Sequence, residues 1–101
     1  MSMYSEIEAK DFYEKSQSKQ LIVIDVREED EFALGHVVNS QNFPLSQLET
    51  SYVTLPQGQE LYLICKSGVR SARAGHFLEN KGYKVISVKG GVEAYLGDLE
   101  K

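Results

Sequence analysis

The sequence predicts an α/β fold in which a central parallel β-sheet is flanked by helices on both faces. Three observations carry that reading. Leu21-Ile22-Val23-Ile24-Asp25-Val26 is a short, nearly continuous β-branched run, as expected of a strand buried on both faces. Leu61-Tyr62-Leu63-Ile64 and Val85-Ile86-Ser87-Val88 repeat the pattern. Helical signals separate the three runs, and strands alternating with helices imply parallel βαβ units.

In chain order, Ser5-Glu6-Ile7-Glu8 has the spacing of a capping box and predicts a helix from there to about Lys15, followed by a polar turn over Ser16 to Gln20. After the first strand, Glu28 to Leu34 predicts a short helix. Its first turn is acidic, and Gly35 is expected in the left-handed position that closes it. His36 to Asn42 reads as irregular. Pro44 opens a brief helical turn over Leu45 to Glu49, and Pro56-Gln57-Gly58 turns the chain into a strand spanning Glu60 to Cys65. From about Val69 the period becomes helical, with Ala74, Phe77 and Leu78 on one face, until Asn80-Lys81-Gly82 ends it. Lys84 to Val88 is the third strand, and Gly90-Gly91 leads into a last helix over roughly Val92 to Leu96.

All 101 residues are read as one domain, since 42% hydrophobic and 26% charged residues is ordinary globular usage and no repeat or low-complexity segment interrupts it. The segment Met1 to Glu6 has neither a basic nor an apolar leader region, and no apolar run approaches the ~18 residues of a membrane span, so a cytoplasmic location and no membrane partner are expected. A net charge of −4 argues against nucleic acid as a partner. One cysteine and two scattered histidines cannot supply a four-ligand zinc site, so neither metal nor cofactor is expected.

The charge is unevenly spread. No acidic residue lies between Glu60 and Glu79, where Lys66, Arg70 and Arg73 all fall, and no lysine or arginine lies between Arg27 and Lys66. The cationic island thus surrounds the single cysteine, Cys65.

Cys65 ends a predicted strand, where open α/β sheets hold their ligands. The segment Cys65-Lys66-Ser67-Gly68-Val69-Arg70-Ser71 contains one glycine and runs into a helix. Such a loop can curl its amides inward and add them to the positive end of the helix, a cradle for an anion. Helix N-termini and adjacent cations favour the thiolate, which is the nucleophile. Lys66 and Arg70 are expected to draw in a charged sulfur donor, the amides to hold a persulfide, and Ser67 and Ser71 to offer hydroxyl donors. Exchange of sulfur between thiolates needs no general base, and this loop contains none. A free cysteine is often a buried small hydrophobe, but strand end, glycine, helix entry and cationic island occur here together. For Arg73, one turn into the helix, a structural pairing with a carboxylate is the simpler reading.

Three segments in order resemble the rhodanese family: Asp25-Val26-Arg27-Glu28 with Glu31-Phe32 and Gly35-His36, then Cys65-Lys66-Ser67-Gly68-Val69-Arg70-Ser71-Ala72, then Gly90-Gly91. The resemblance implies a rhodanese-type fold and a persulfide on Cys65. It implies sulfur moved from a small anionic donor, thiosulfate or a low-molecular-weight persulfide, to a thiol or protein acceptor. Asp25, Arg27 and His36 match positions that buttress the loop. The chain departs from the family where Gly-His is usually followed by an apolar residue and Pro-Gly-Ala, reading Val37-Val38-Asn39-Ser40 instead, and Tyr95 replaces a frequent tryptophan.

Two rival readings differ in class. A cysteine-dependent phosphatase resembles Cys-x5-Arg, but Ser71 occupies that position and Arg70 comes one place early; arsenate reduction would need a second cysteine. A non-catalytic binding or regulatory module would use the same fold, although modules of that kind often look as though they have lost the cysteine.

Overall fold

The computed structural model describes residues 4–101. Met1, Ser2 and Met3, part of the segment read as lacking a leader, lie outside the described residues.

Five parallel strands form the central sheet: β1 (Tyr4–Glu8), β2 (Ile22–Asp25), β4 (Gln41–Asn42), β5 (Glu60–Ile64) and β6 (Lys84–Lys89), in the order β1-β6-β5-β2-β4. A separate two-stranded antiparallel pair joins β3 (His36–Val37) to β7 (Leu99–Glu100). The helices are α1 (Ala9–Ser18), α2 (Glu29–Leu34), α3 (Leu48–Ser51, with 3-10 turns on either side), α4 (Val69–Asn80) and α5 (Gly91–Ala94). Among the described residues, no helix is long and apolar enough to cross a membrane.

Strand alternation divides the core into two layers. Leu61, Leu63 and Cys65 share one layer with Ile24, Val85, Ala74 and Leu78, beneath α4. Tyr62 and Ile64 point the other way and pack with Ala9, Phe12 and Val88, beneath α1. Leu61, Leu63 and Ile64 are fully buried, each contributing about 1.5–3 kcal/mol of transfer free energy. Cys65 lies immediately beyond the carboxyl end of β5, the central strand.

Several expectations are corrected. Ser5 to Glu8 does not cap a helix: it belongs to β1, whose Tyr4 to Glu8 pair with Val85 to Lys89, and the helix starts at Ala9 and runs through Ser18. The physical reason is the open edge of β6, whose backbone groups gain a ladder partner. An edge strand can carry polar residues because only part of it is covered, and Ser5, Glu6 and Glu8 are exposed. The capping box forms at α2 instead: the Glu28 side chain accepts from the amide of Glu31, and Glu31 Oε1 accepts from the amide of Glu28 at 3.1 Å. Gly35 follows α2 at φ 154° and ψ 136°, outside the left-handed helical region. The stretch 36–42, expected to be irregular, contains β3 and β4; both are two-residue strands, too short for periodicity to register. The last helix begins at Gly91 and ends at Ala94.

Where Gly is usual in the resembled pattern, Asn39 takes φ 67°, and asparagine is among the few non-glycine residues that visit this region routinely. Ser40 donates to the Val37 carbonyl and holds the turn. Tyr95 packs its ring 5.9 Å from Phe12 and 5.6 Å from Tyr13, so the departure from tryptophan is accommodated in an aromatic cluster.

Candidate active site

Two backbone amides converge on the sulfur of Cys65: Gly68 N–H donates to Sγ at 3.1 Å and Ser71 N–H at 3.3 Å. The loop can close this tightly because Gly68 takes φ 108° at the entry of α4. A side chain there would also crowd Gly90 N, which a Cβ would approach to 3.2 Å. The Ser71 amide belongs to the first turn of α4, whose free N–H groups face the loop. A buried sulfur, the residue being 1% exposed, thus sits where donors are already aimed, an arrangement suited to holding negative charge on sulfur.

From the far side the loop is clamped by α5. Val92 N–H donates to the Cys65 carbonyl at 2.8 Å and Glu93 N–H to the Lys66 carbonyl at 3.0 Å. Gly91, at φ 58°, lies flat against the same two carbonyls with no room for a Cβ. Gly90-Gly91, read in the sequence as a family motif and as the lead into the last helix, therefore also acts on the loop directly.

The remaining loop residues are distributed unequally. Lys66, Ser67 and Val69 are exposed. Arg70 is not free: Nη1 and Nη2 donate to Glu31 Oε1 and Oε2 at 2.6 and 2.8 Å. That bond, aided by the Glu28 amide and opposed by partial burial, holds the Glu31 carboxyl down at about 2 from 4.5. The same bond raises Arg70 above its ordinary value, and the charges of Cys65 and Asp25 add to the pull. Arg70, expected to face an incoming donor, thus has both terminal nitrogens engaged by a carboxylate. The hydroxyl of Ser71 is likewise occupied. It donates to Gly68 O at 3.1 Å and lies 2.8 Å from the buried Ser87 Oγ, so Ser71 serves the sulfur through its amide alone.

Arg73, expected to pair with a carboxylate, forms no ion pair among the described residues and is exposed. It borders an open groove of about 510 Å³ together with Ser67, Gly68, Val69, Ala72 and Gly90. Gly68 thus lines this groove and also bonds the sulfur.

Asp25, Arg27 and His36 lie one layer back. Asp25 is fully buried and takes Arg27 N, Nε and Nη2 at 2.8–3.1 Å. Arg27 Nη2 continues to Gly35 O at 2.7 Å. His36 stacks on Phe32 at 3.8 Å and its Nδ1–H donates to the Phe32 carbonyl at 2.9 Å. All three tie down α2, which carries Glu31 to Arg70. Sequence reasoning assigned no role to Glu31; its spacing from Glu28 signals the helix cap but not the contact with Arg70.

The model of the Rhodanese-like domain matches residues 8–98. Over 101 residues the chain is 35% identical to YqhL of Bacillus subtilis (strain 168), covering 99% of this chain and 76% of that protein. It is 32% identical over 82 residues to YtwF of the same organism, provisionally named a sulfurtransferase, covering 81% and 80% of the two chains. A crystal structure of a rhodanese-related protein from Thermoplasma volcanium superposes with a TM-score of 0.82 at 36% identity, covering 92% of this chain and 96% of that one. The chain belongs to the rhodanese-like domain family.

Proposed function

We propose that this protein is a sulfurtransferase that carries sulfane sulfur as a persulfide on Cys65, taken from thiosulfate or a low-molecular-weight persulfide and passed to a thiol or protein acceptor. The observation that carries the reading is the pair of amides, Gly68 and Ser71, converging on Sγ. In the first half-reaction the Cys65 thiolate attacks the terminal sulfur of the donor. The new S–S bond forms on Cys65 as the donor's S–S bond breaks, and the electron pair leaves on sulfite or on the donor thiolate. The persulfide is an anion whose outer sulfur needs the same kind of donors. In the second half-reaction an acceptor thiolate takes that sulfur and Cys65 recovers its electron pair, so no proton transfer by a side chain is required. A single domain in a reducing, cytoplasmic setting fits the lone cysteine.

A phosphatase reading is disfavoured by spacing, since Ser71 stands six positions after Cys65 where the clamping arginine would be, and the terminal nitrogens of Arg70 are engaged by Glu31. Intact mass spectrometry after exposure to thiosulfate or 2-hydroxyethyl persulfide tests the proposal. The expected result is a gain of one sulfur that a thiol removes and that Cys65→Ser never acquires. Protein that stays unmodified with both donors would refute it and leave the binding-module reading.

A further inference from the structure

The charge that an incoming anion meets at Cys65 depends on a residue outside the loop. Lys66, Arg70 and Arg73 give the segment three cations in sequence, yet Arg70 is bound through both terminal nitrogens to Glu31 at 2.6 and 2.8 Å. The pair presents little net charge. Glu31 is also fixed in place, since its Oε1 accepts the Glu28 amide at 3.1 Å and the far end of α2 is held by Arg27 through Gly35 O. Arg70 immediately precedes Ser71, whose amide lies 3.3 Å from the Cys65 sulfur, so the pair stands beside the reacting atom and compensating Arg70 is felt there.

We propose that Glu31 is a specificity-determining residue: by neutralising Arg70 it lowers the positive charge at the mouth of the loop and selects singly charged sulfur donors, organic persulfides, over doubly charged thiosulfate. Coulomb energy scales with ligand charge, so one added positive charge helps a dianion twice as much as a monoanion. This inference rests on the sulfurtransferase reading for its donors, though its electrostatic part does not.

The test is a charge series: Glu31→Gln, Arg70→Gln and the double variant. The amide introduced by Glu31→Gln keeps one oxygen for the Glu28 amide and Arg70 Nη1, and removes the charge together with the acceptor that faced Arg70 Nη2. For each protein, kcat/KM is measured with thiosulfate and with 2-hydroxyethyl persulfide, at low and high salt. In parallel, alkylation of Cys65 by iodoacetate and by neutral iodoacetamide gives a rate ratio that reports local charge without any sulfur transfer. Glu31→Gln is expected to raise the thiosulfate-to-persulfide ratio, and the iodoacetate-to-iodoacetamide ratio, by about two- to threefold at low salt. Arg70→Gln should lower both ratios by a similar factor, the double variant should return them toward wild type, and high salt should compress the series. If all three variants slow both donors equally and leave both ratios unchanged, the pair is only a latch between α2 and the loop and the proposal fails. A wild-type protein that accepts sulfur from neither donor would refute the proposed function, while the alkylation ratios would still decide the role of Glu31.

Discussion

Gly91 rests against the carbonyl of Cys65, so that the backbone of α5 is in van der Waals contact with the residue that bears the sulfur. The contact exists because Gly91 combines φ 58° with the absence of a Cβ, and it lets Val92 and Glu93 donate to the first two carbonyls of the loop. Gly91→Ala would both overlap those carbonyls and strain the backbone, at a cost of about 2 kcal/mol or more. Urea denaturation should show that loss, and sulfur transfer should fall further than stability alone explains, since the clash is against Cys65 and Lys66 themselves. A variant with wild-type activity and midpoint would show that α5 does not set the loop.

Ser71→Ala separates the amide from the hydroxyl. The Ser71 N–H that reaches Sγ is unaffected by the substitution, whereas Ser87 Oγ and Gly68 O lose a partner in a buried setting. A loss of about 1–3 kcal/mol is expected, with sulfur loading of Cys65 retained in the folded fraction. Loss of loading without loss of stability would return the hydroxyl to the chemistry.

The buried pair behind the site should behave differently from the exposed ones. Asp25→Ala removes the carboxylate that holds the buried Arg27, and breaking such a pair costs about 3–5 kcal/mol because one charge is left uncompensated. Lys84 with Glu60 and Lys89 with Glu8 are solvent-facing pairs at 3.6 and 3.3 Å, and Glu60→Gln should change stability by less than about 1 kcal/mol. Comparable losses at both places would contradict the burial argument.

Acid should dissolve the tie between α2 and the loop. The Glu31 carboxyl lies at about 2 in the folded protein, below its ordinary 4.5, so the folded state binds that proton less readily than the unfolded chain. The stabilisation is complete above about 4.5 and is lost as pH falls from there through about 2. The Tm difference between wild type and Glu31→Gln should be constant at neutral pH and shrink over that interval. A difference that persists unchanged to the acid end would place the depression elsewhere.

How much of the fold was readable in advance follows from the range of the interactions. Leu21 to Val26, Leu61 to Ile64 and Val85 to Val88 announced the parallel sheet because burial on both faces leaves a continuous apolar run, and Val69 to Asn80 announced α4 through its period. β1 was hidden because an edge strand is recruited by its neighbour: Tyr4 to Glu8 carry a locally plausible capping box, and only the exposed ladder of β6 overrules it. β3 and β7 were hidden for the same reason, two residues each with no period of their own.

At the site, chain order was enough to place Cys65 at the end of a strand, with the glycine that lets the loop curl and the helix that follows, because these are consecutive residues whose geometry is local. The excess of cations around the sulfur was equally plain. Which of those cations remains available was settled by folding. Arg70 and Glu31 stand 39 positions apart, and no local pattern reveals that a carboxylate from α2 is brought onto the loop. Charges act through space while sequence records only order along the chain, so the inventory of charge was legible and its compensation was not.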